Sequence, residues 1–152
     1  MSTANQGLTL RGAQQADARE LAGLSLEAFG EFDPDAERRG AALMSRKGVV
    51  TSVAEWDGRL AGFAALSQQG RRAWLDAIAV TLRCRGRGAG RALLERVVQQ
   101  ARERGATSLG LATADSNVAA LALFLDQGFR MTERKARYYP RGQDAVFLTK
   151  TL

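Results

Sequence analysis

The sequence contains no histidine. That excludes Ser–His and Cys–His nucleophiles, which need an imidazole to take the proton, and it removes most zinc-site chemistry; no metal is expected. The single cysteine, Cys84, cannot form an internal disulfide, which suits a reducing cytoplasm. No stretch approaches the ~20 consecutive apolar residues that a membrane helix needs. Met1 to Gly7 is polar and uncharged, with no basic region leading into an apolar one, so no export signal is expected. Lysine is rare, and the excess of 22 basic over 16 acidic residues is carried by arginine.

The 152 residues fit one domain with room for a real core, and the 45% hydrophobic content is that of an ordinary globular chain. A net charge of +6 favours a negatively charged partner. Arginine suits planar contacts with phosphate, so a phosphate-rich cofactor and nucleic acid are both candidates, beside a merely solvated basic surface. Nucleic acid is set aside as a partner. The chain shows neither an interleaved aromatic platform nor helix-turn-helix spacing.

Periodicity orders the elements, without repeats or linkers. Leu8 to Arg11 is strand-like. Asp17 opens a helix with apolar Leu21, Leu24, Leu26 and Phe29, and a break at Phe29 to Pro34 leads to a short helix over Asp35 to Ser45. Val49 to Trp56 and Leu60 to Leu66 are strands joined at Asp57-Gly58, a hairpin signal, and Gln69-Gly70 turns the chain into Ala73 to Val80. After a loop, Leu93, Leu94, Val97, Val98 and Ala101 form the stripe of a helix that ends at Gly105. Ser108 to Thr113 is a strand, Asn117 caps a helix ending at Gly128, and Phe129 to Arg137 and Ala145 to Thr151 are final strands. The expected fold is mixed α/β in the order β-α-α-β-β-β-α-β-α-β-β. About seven strands form a mixed sheet with helices on both faces.

The loop Arg85-Gly86-Arg87-Gly88-Ala89-Gly90 lies between a strand and a helix. Phosphate at a helix start is held by unpaired backbone N–H groups and the positive end of the dipole. Backbone comes that close only where side chains are absent, which gives Gly88 and Gly90 a steric reason to be glycine. A flexible Gly/Arg turn is the plain alternative. A Walker loop would need Gly-Lys-Ser/Thr, which is missing. A Rossmann fingerprint needs different glycine spacing, soon after the first strand of a parallel sheet.

Val80 to Gly90 followed by Arg91-Ala92-Leu93-Leu94 resembles the acetyl-CoA motif of the GNAT acetyltransferases, Q/R-x-x-G-x-G/A. The block Asn117-x-x-Ala120-x-x-Leu123-Phe124-x-x-x-Gly128-Phe129 is similar to that family's N-x-x-A-x-x-L-Y-x-x-x-G-F. Within the family, Tyr138-Tyr139-Pro140 with Asp144-Ala145 looks like the ending of bacterial N-terminal acetyltransferases that modify a ribosomal protein. The resemblance implies an acetyl-CoA-dependent acetyltransferase. The amides of Arg85, Gly86, Arg87, Gly88, Ala89 and Gly90, with Arg91, would wrap the pyrophosphate. The backbone of Ile78, Ala79 and Val80 would pair with the pantetheine arm, one amide stabilising the oxyanion of the tetrahedral intermediate. Asn117 would contact that arm, or simply cap its helix. Phe124 would pack near the thioester. Acceptors would be a peptide α-amine or another small amine, and the chain a monomer or homodimer.

Two positions depart from the family. The tyrosine thought to protonate the departing thiolate is Phe124 here, and the glutamate base of the N-terminal acetyltransferases is Ala112. A CoA thiol resembles a free cysteine, pKa about 8.5, and leaves readily without an acid. Near pH 7.5 a lysine amine is only about 0.1% neutral and an α-amine roughly a third, a difference of about 3–4 kcal/mol in deprotonation help. A weak base therefore favours an α-amine. Asp76, expected on the strand face of Trp74, Ile78 and Val80, is the substitute base, or else a structural partner of an arginine. Tyr138 and Tyr139 are candidate acids, with strand alternation placing at most one of them in the cleft. Asp115 and Glu27 are weaker options, and Cys84 is read as merely apolar. The alternatives are a regulatory acyl-CoA binder without catalysis and a small-molecule amine acetyltransferase.

Overall fold

The structure, a computed structural model, describes residues 7–152; the polar N-terminus read for an export signal lies, up to Gln6, outside them. Turn chemistry builds the first half of the sheet. Asp57 and Gly58 form a two-residue loop with φ of 52° and 77°, the pair of positive values that a twisted hairpin of this length requires. Gly70, at φ 59°, turns the next hairpin. These turns join β2 (Val49–Trp56), β3 (Arg59–Gln69) and β4 (Arg72–Val80), and β1 (Leu8–Gly12) adds to the free edge of β2. The second half comprises β5 (Ser108–Ala114), β6 (Arg130–Lys135) and β7 (Ala145–Thr151). The spatial order is β1-β2-β3-β4-β5-β7-β6, and β4 with β5 is the one parallel pair.

Helices α1 (Ala18–Phe29) and α2 (Ala36–Ala42) cover one face, and α3 (Ala89–Glu103) and α4 (Val118–Asp126) the other. The expected order of elements and the helices on both faces are observed. Leu21, Leu24, Leu43, Val53 and Phe63 form the first core, and Leu93, Leu94, Val97, Leu109, Leu111 and Phe124 belong to the second. Each such side chain, withdrawn from water, contributes about 1.5–3 kcal/mol. Leu26 is 49% exposed, so the stripe of α1 is completed by Ala22 and Ser25 instead. There α2 crosses closely: a Cβ on Gly40 would lie 2.3 Å from Ser25 Oγ.

Two irregularities of β4 open the sheet and re-aim its side chains. It pairs with β5 only over Arg72, Ala73 and Trp74, after which the strands diverge. Opposite β3, Leu66 faces Leu75 and Ala65 faces Ala77, which leaves Asp76 as the extra residue of a β-bulge.

Candidate active site

The loop between β4 and α3 offers backbone rather than side chains. Gly86 and Gly88 have φ of 74° and 90°, where an L side chain is strained, and Gly88 caps α3. The Ala92 amide reaches the Gly88 carbonyl at 3.0 Å, so the amides of Ala89, Gly90 and Arg91 precede the first intrahelical bond. The arginines are drawn aside. Arg83 donates to the Leu60 carbonyl at 2.8 Å, Arg85 to that of Val80 at 3.3 Å, and the Arg87 guanidinium stacks 4.4 Å above the centre of the Trp56 ring. Arg91 lies 3.5 Å from Asp126. A Cβ on Gly90 would come 3.3 Å from Leu123 and 3.5 Å from Val80, so helix, strand and α4 meet there at backbone distance. An unobstructed run of amides at a helix start fits the phosphates of an acyl-CoA.

Beside this loop, the divergence of β4 and β5 leaves the edge of β4 from Leu75 to Val80 without a strand partner. Ile78, Ala79 and Val80 lie on that stretch. Asn117 caps α4, accepting from the Ala120 amide at 3.3 Å, and it also lines the cleft. Phe124 is 3% exposed, packs edge-on against Phe129 at 5.7 Å and lines the same cleft, as does Ala112. The two positions that depart from the family pattern therefore face the cleft. Cys84 is 1% exposed within the α3-side core, consistent with its apolar reading.

The cleft, about 590 Å³, runs from the opening of β4 and β5 toward the α1–α2 connection. Asp76 lines it, with Oδ1 3.9 Å from Arg46; its Oδ2 is buried with no hydrogen-bond partner among the described residues. The bulge changes the expected facing. Ile78 and Val80 pack on the α3-side core, whereas Ala77 and Ala79 pack on the α1 side. Because Leu75 packs on the α3-side core together with Ile78 and Val80, the bulge residue Asp76 does not share the face of Ile78 and Val80, although it still reaches the cleft. Glu27 and Asp115 are engaged elsewhere, Glu27 accepting from the Leu82 amide at 3.3 Å and Asp115 pairing with Arg134 at 3.1 Å.

The expectation that only one tyrosine lines the cleft is corrected. β6 stops at Lys135, and Arg137, at φ 52°, turns the chain out of the sheet, so strand alternation no longer applies. Tyr138 and Tyr139 both border the cleft. Tyr139 is anchored by its amide to the Gln143 carbonyl at 3.1 Å and leans on Phe32, centre to centre 6.2 Å. Burial, then the neighbouring Tyr138, pushes its hydroxyl up to about 12, so it holds its proton throughout the neutral range. Tyr138 is 49% exposed and meets Phe147 edge-on at 5.4 Å. Sequence reasoning missed Arg46, Trp74, Phe32 and Asp33, the last paired with Arg39 at 2.9 Å; all four line the cleft. Nothing in their spacing links these distant segments.

A splayed parallel strand pair thus lies beside a glycine-rich helix start, offering strand-edge and helix-start amides to one ligand. A family model described as Acetyltransferase (GNAT) family matches residues 17–129, and the chain belongs to that family. It is 37% identical over 95 residues to the [ribosomal protein bS18]-alanine N-acetyltransferase of Salmonella typhimurium, covering 60% of this chain and 64% of that one. The matched segment thus spans less than two thirds of that relative. A streptothricin acetyltransferase of Streptomyces lavendulae is 33% identical over 99 residues, 61% of this chain and 52% of its own. Among solved structures, a ribosomal-protein-alanine N-acetyltransferase from Brucella melitensis superposes with a TM-score of 0.81 at 28% identity, covering 95% of this chain and 99% of the other.

Proposed function

We propose that the protein is an acetyl-CoA-dependent N-acetyltransferase whose acceptor is the α-amine of a polypeptide, which attacks directly without an acyl-enzyme stage. The observation that carries this is the glycine loop at the start of α3 opening onto the unpaired edge of β4. When bound, acetyl-CoA supplies the thioester carbonyl as acyl donor. The amides of Gly86 to Gly90 bind phosphate, that of Arg85 being already bonded to the Leu82 carbonyl at 3.3 Å; the β4 edge at Ile78 to Val80 pairs with the pantetheine amides, and Asn117 and Phe124 border that arm. The single cysteine is buried in the core, which favours direct attack over transfer through Cys84.

Acceptor class follows from proton chemistry. Ala112 and Phe124 bring neither base nor acid to their positions. Asp76 lies beside the β4 opening, ion-paired with Arg46, and orients an amine while passing its proton to water. Tyr139 lines the cleft and keeps its hydroxyl proton at neutral pH. Such a site suits an amine that is already partly neutral, which at pH 7.5 means an α-amine of pKa about 7.7–8 rather than a lysine near 10.4. The likeness to an enzyme named as a ribosomal-protein alanine N-acetyltransferase supports the same reading. Thiol release measured with peptide α-amines, lysine peptides, polyamines and aminoglycosides tests it: α-amines should lead. CoA affinity without turnover on any of them would instead make the protein a regulatory acyl-CoA binder.

A further inference from the structure

Helices α1 and α2 shield β2 to β4, and the aromatic rings beyond them continue along the same face. From the cleft, the centres of Tyr139 and Tyr138 lie 5.2 Å apart, Tyr138 and Phe147 5.4 Å, and Phe147 and Trp74 6.3 Å. Lys135 Nζ sits 4.9 Å over the Phe147 ring. Trp74 can lie across the sheet because its neighbour is Gly110: a Cβ there would come 2.8 Å from the indole. Trp74 is 38% exposed and borders two hollows at once, the cleft and a second groove of about 490 Å³ lined by Lys47 and Arg72 and holding no acidic residue. Trp74 is therefore a wall common to the cleft and the groove.

We propose that this second groove is an extended acceptor subsite, which takes an acidic stretch of the acceptor polypeptide downstream of the acetylated residue. This rests on the peptide α-amine reading above. Two observations choose the occupant. Groove and cleft share Trp74 as a wall, so a chain that enters the cleft by its N-terminus and passes over this half-exposed ring comes to the groove. The charged side chains of the groove are Lys47 and Arg72, with Lys135 over the adjoining ring, which complements carboxylates and repels a basic segment. Position follows from strand geometry. Arg72 and Ile78 lie opposite Gln69 and Ala64 of β3, five ladder steps apart or about 17 Å at ~3.3 Å each, so an extended acceptor brings roughly its fifth and sixth residues to Lys47 and Arg72. The flat rings between supply contact area that tolerates any intervening sequence.

The test uses the full chain and thiol release with nonapeptides sharing their first three residues. These carry Glu-Glu, Gln-Gln or Lys-Lys at positions five and six, and the common tripeptide is measured alongside. The acidic peptide should exceed the neutral one about three- to tenfold in kcat/KM through KM, an advantage that shrinks with added salt. Lys47→Glu with Arg72→Glu should reverse the order, so that the Lys-Lys peptide leads. Equal kcat/KM for all three nonapeptides overturns the subsite while tripeptide turnover still upholds the α-amine reading. No turnover of tripeptide or nonapeptides removes that reading itself. An order unaltered by the double variant, with loss of binding to a single-stranded RNA oligomer or a fall in sedimentation mass, overturns the proposal in favour of nucleic acid or a second copy.

Discussion

Arg46 places Nη2 3.9 Å from Oδ1 of Asp76, while Oδ2 of that carboxylate is buried without a hydrogen-bond partner among the described residues. A buried polar atom left unmatched costs about 1–3 kcal/mol, so an N–H of the neutral acceptor amine, or a water, donating to Oδ2 is favoured. Asp76 orients the amine rather than serving as a full general base, because the bulge sets it at the margin of the β4 opening. Asp76→Asn is therefore expected to lower kcat/KM by less than about tenfold, measured by thiol release with an α-amine peptide. A loss in the 10²–10⁴ range would identify it as the positioned base.

The two tyrosines should separate. Tyr139 is half-buried against Phe32 and protonated at neutral pH, whereas Tyr138 points along the aromatic run toward Phe147. Tyr139→Phe should reduce kcat, and Tyr138→Phe should leave kcat near that of the parent. Because Tyr139 is raised to about 12, no limb of the pH–rate profile between 6 and 9 belongs to it, and the profiles of parent and Tyr139→Phe should have the same shape.

Gly88 separates strain from charge. At φ 90° any L residue there is strained, and Gly88→Ala and Gly88→Glu should lose similar stability, about 1–2 kcal/mol by thermal unfolding. Calorimetry should then show that Gly88→Glu has lost CoA binding well beyond Gly88→Ala, since only the glutamate adds a negative charge to the phosphate loop. CoA binding by Gly88→Glu at the parent's affinity would displace the pyrophosphate from this loop.

Asp17 links the start of α1 to the sheet. Two Arg11 nitrogens reach its carboxylate at 2.8 and 2.9 Å, and Arg11 also contacts Glu55. The Arg11 hydrogen bonds hold the Asp17 carboxyl below its usual range. A depressed folded-state pKa gives stability that is complete above the unfolded value, about 3.9, and is lost as pH falls through the folded one. Urea unfolding from pH 6 down to pH 2 should show this loss, and Asp17→Asn should be less stable at pH 6 but flatter across the acid range.

Much of the fold was legible in the chain because local rules set it. Asp57-Gly58 announced its hairpin, Leu93 to Ala101 the buried stripe of α3, and the glycines at 86, 88 and 90 the loop. The bulge at Asp76 was not legible. An extra residue in β4 has meaning only against β3, and it brought Ile78 and Val80 to the face that Ala73 and Leu75 already occupy. The end of β6 was missed because Arg134 to Tyr139 carries no glycine or proline to mark it, the turn being made by a positive φ at Arg137. Nor could the sequence show an aromatic platform. Trp74 is far from Tyr138 and Phe147 in the chain, and its indole reaches Phe147 over a position, Gly110, where a Cβ would obstruct it.

Transfer to an α-amine that arrives largely neutral is decided by thiol release with acetyl-CoA and two matched peptides. One has a free N-terminus and a blocked lysine, the other a blocked N-terminus and a free lysine. The first should turn over at pH 7.5 and accelerate with pH until its own amine titrates near pH 8, while the second remains a poor acceptor. A rate flat from pH 6 to 9, or a clear preference for the lysine peptide, would refute this chemistry, because either result requires a strong base in the cleft.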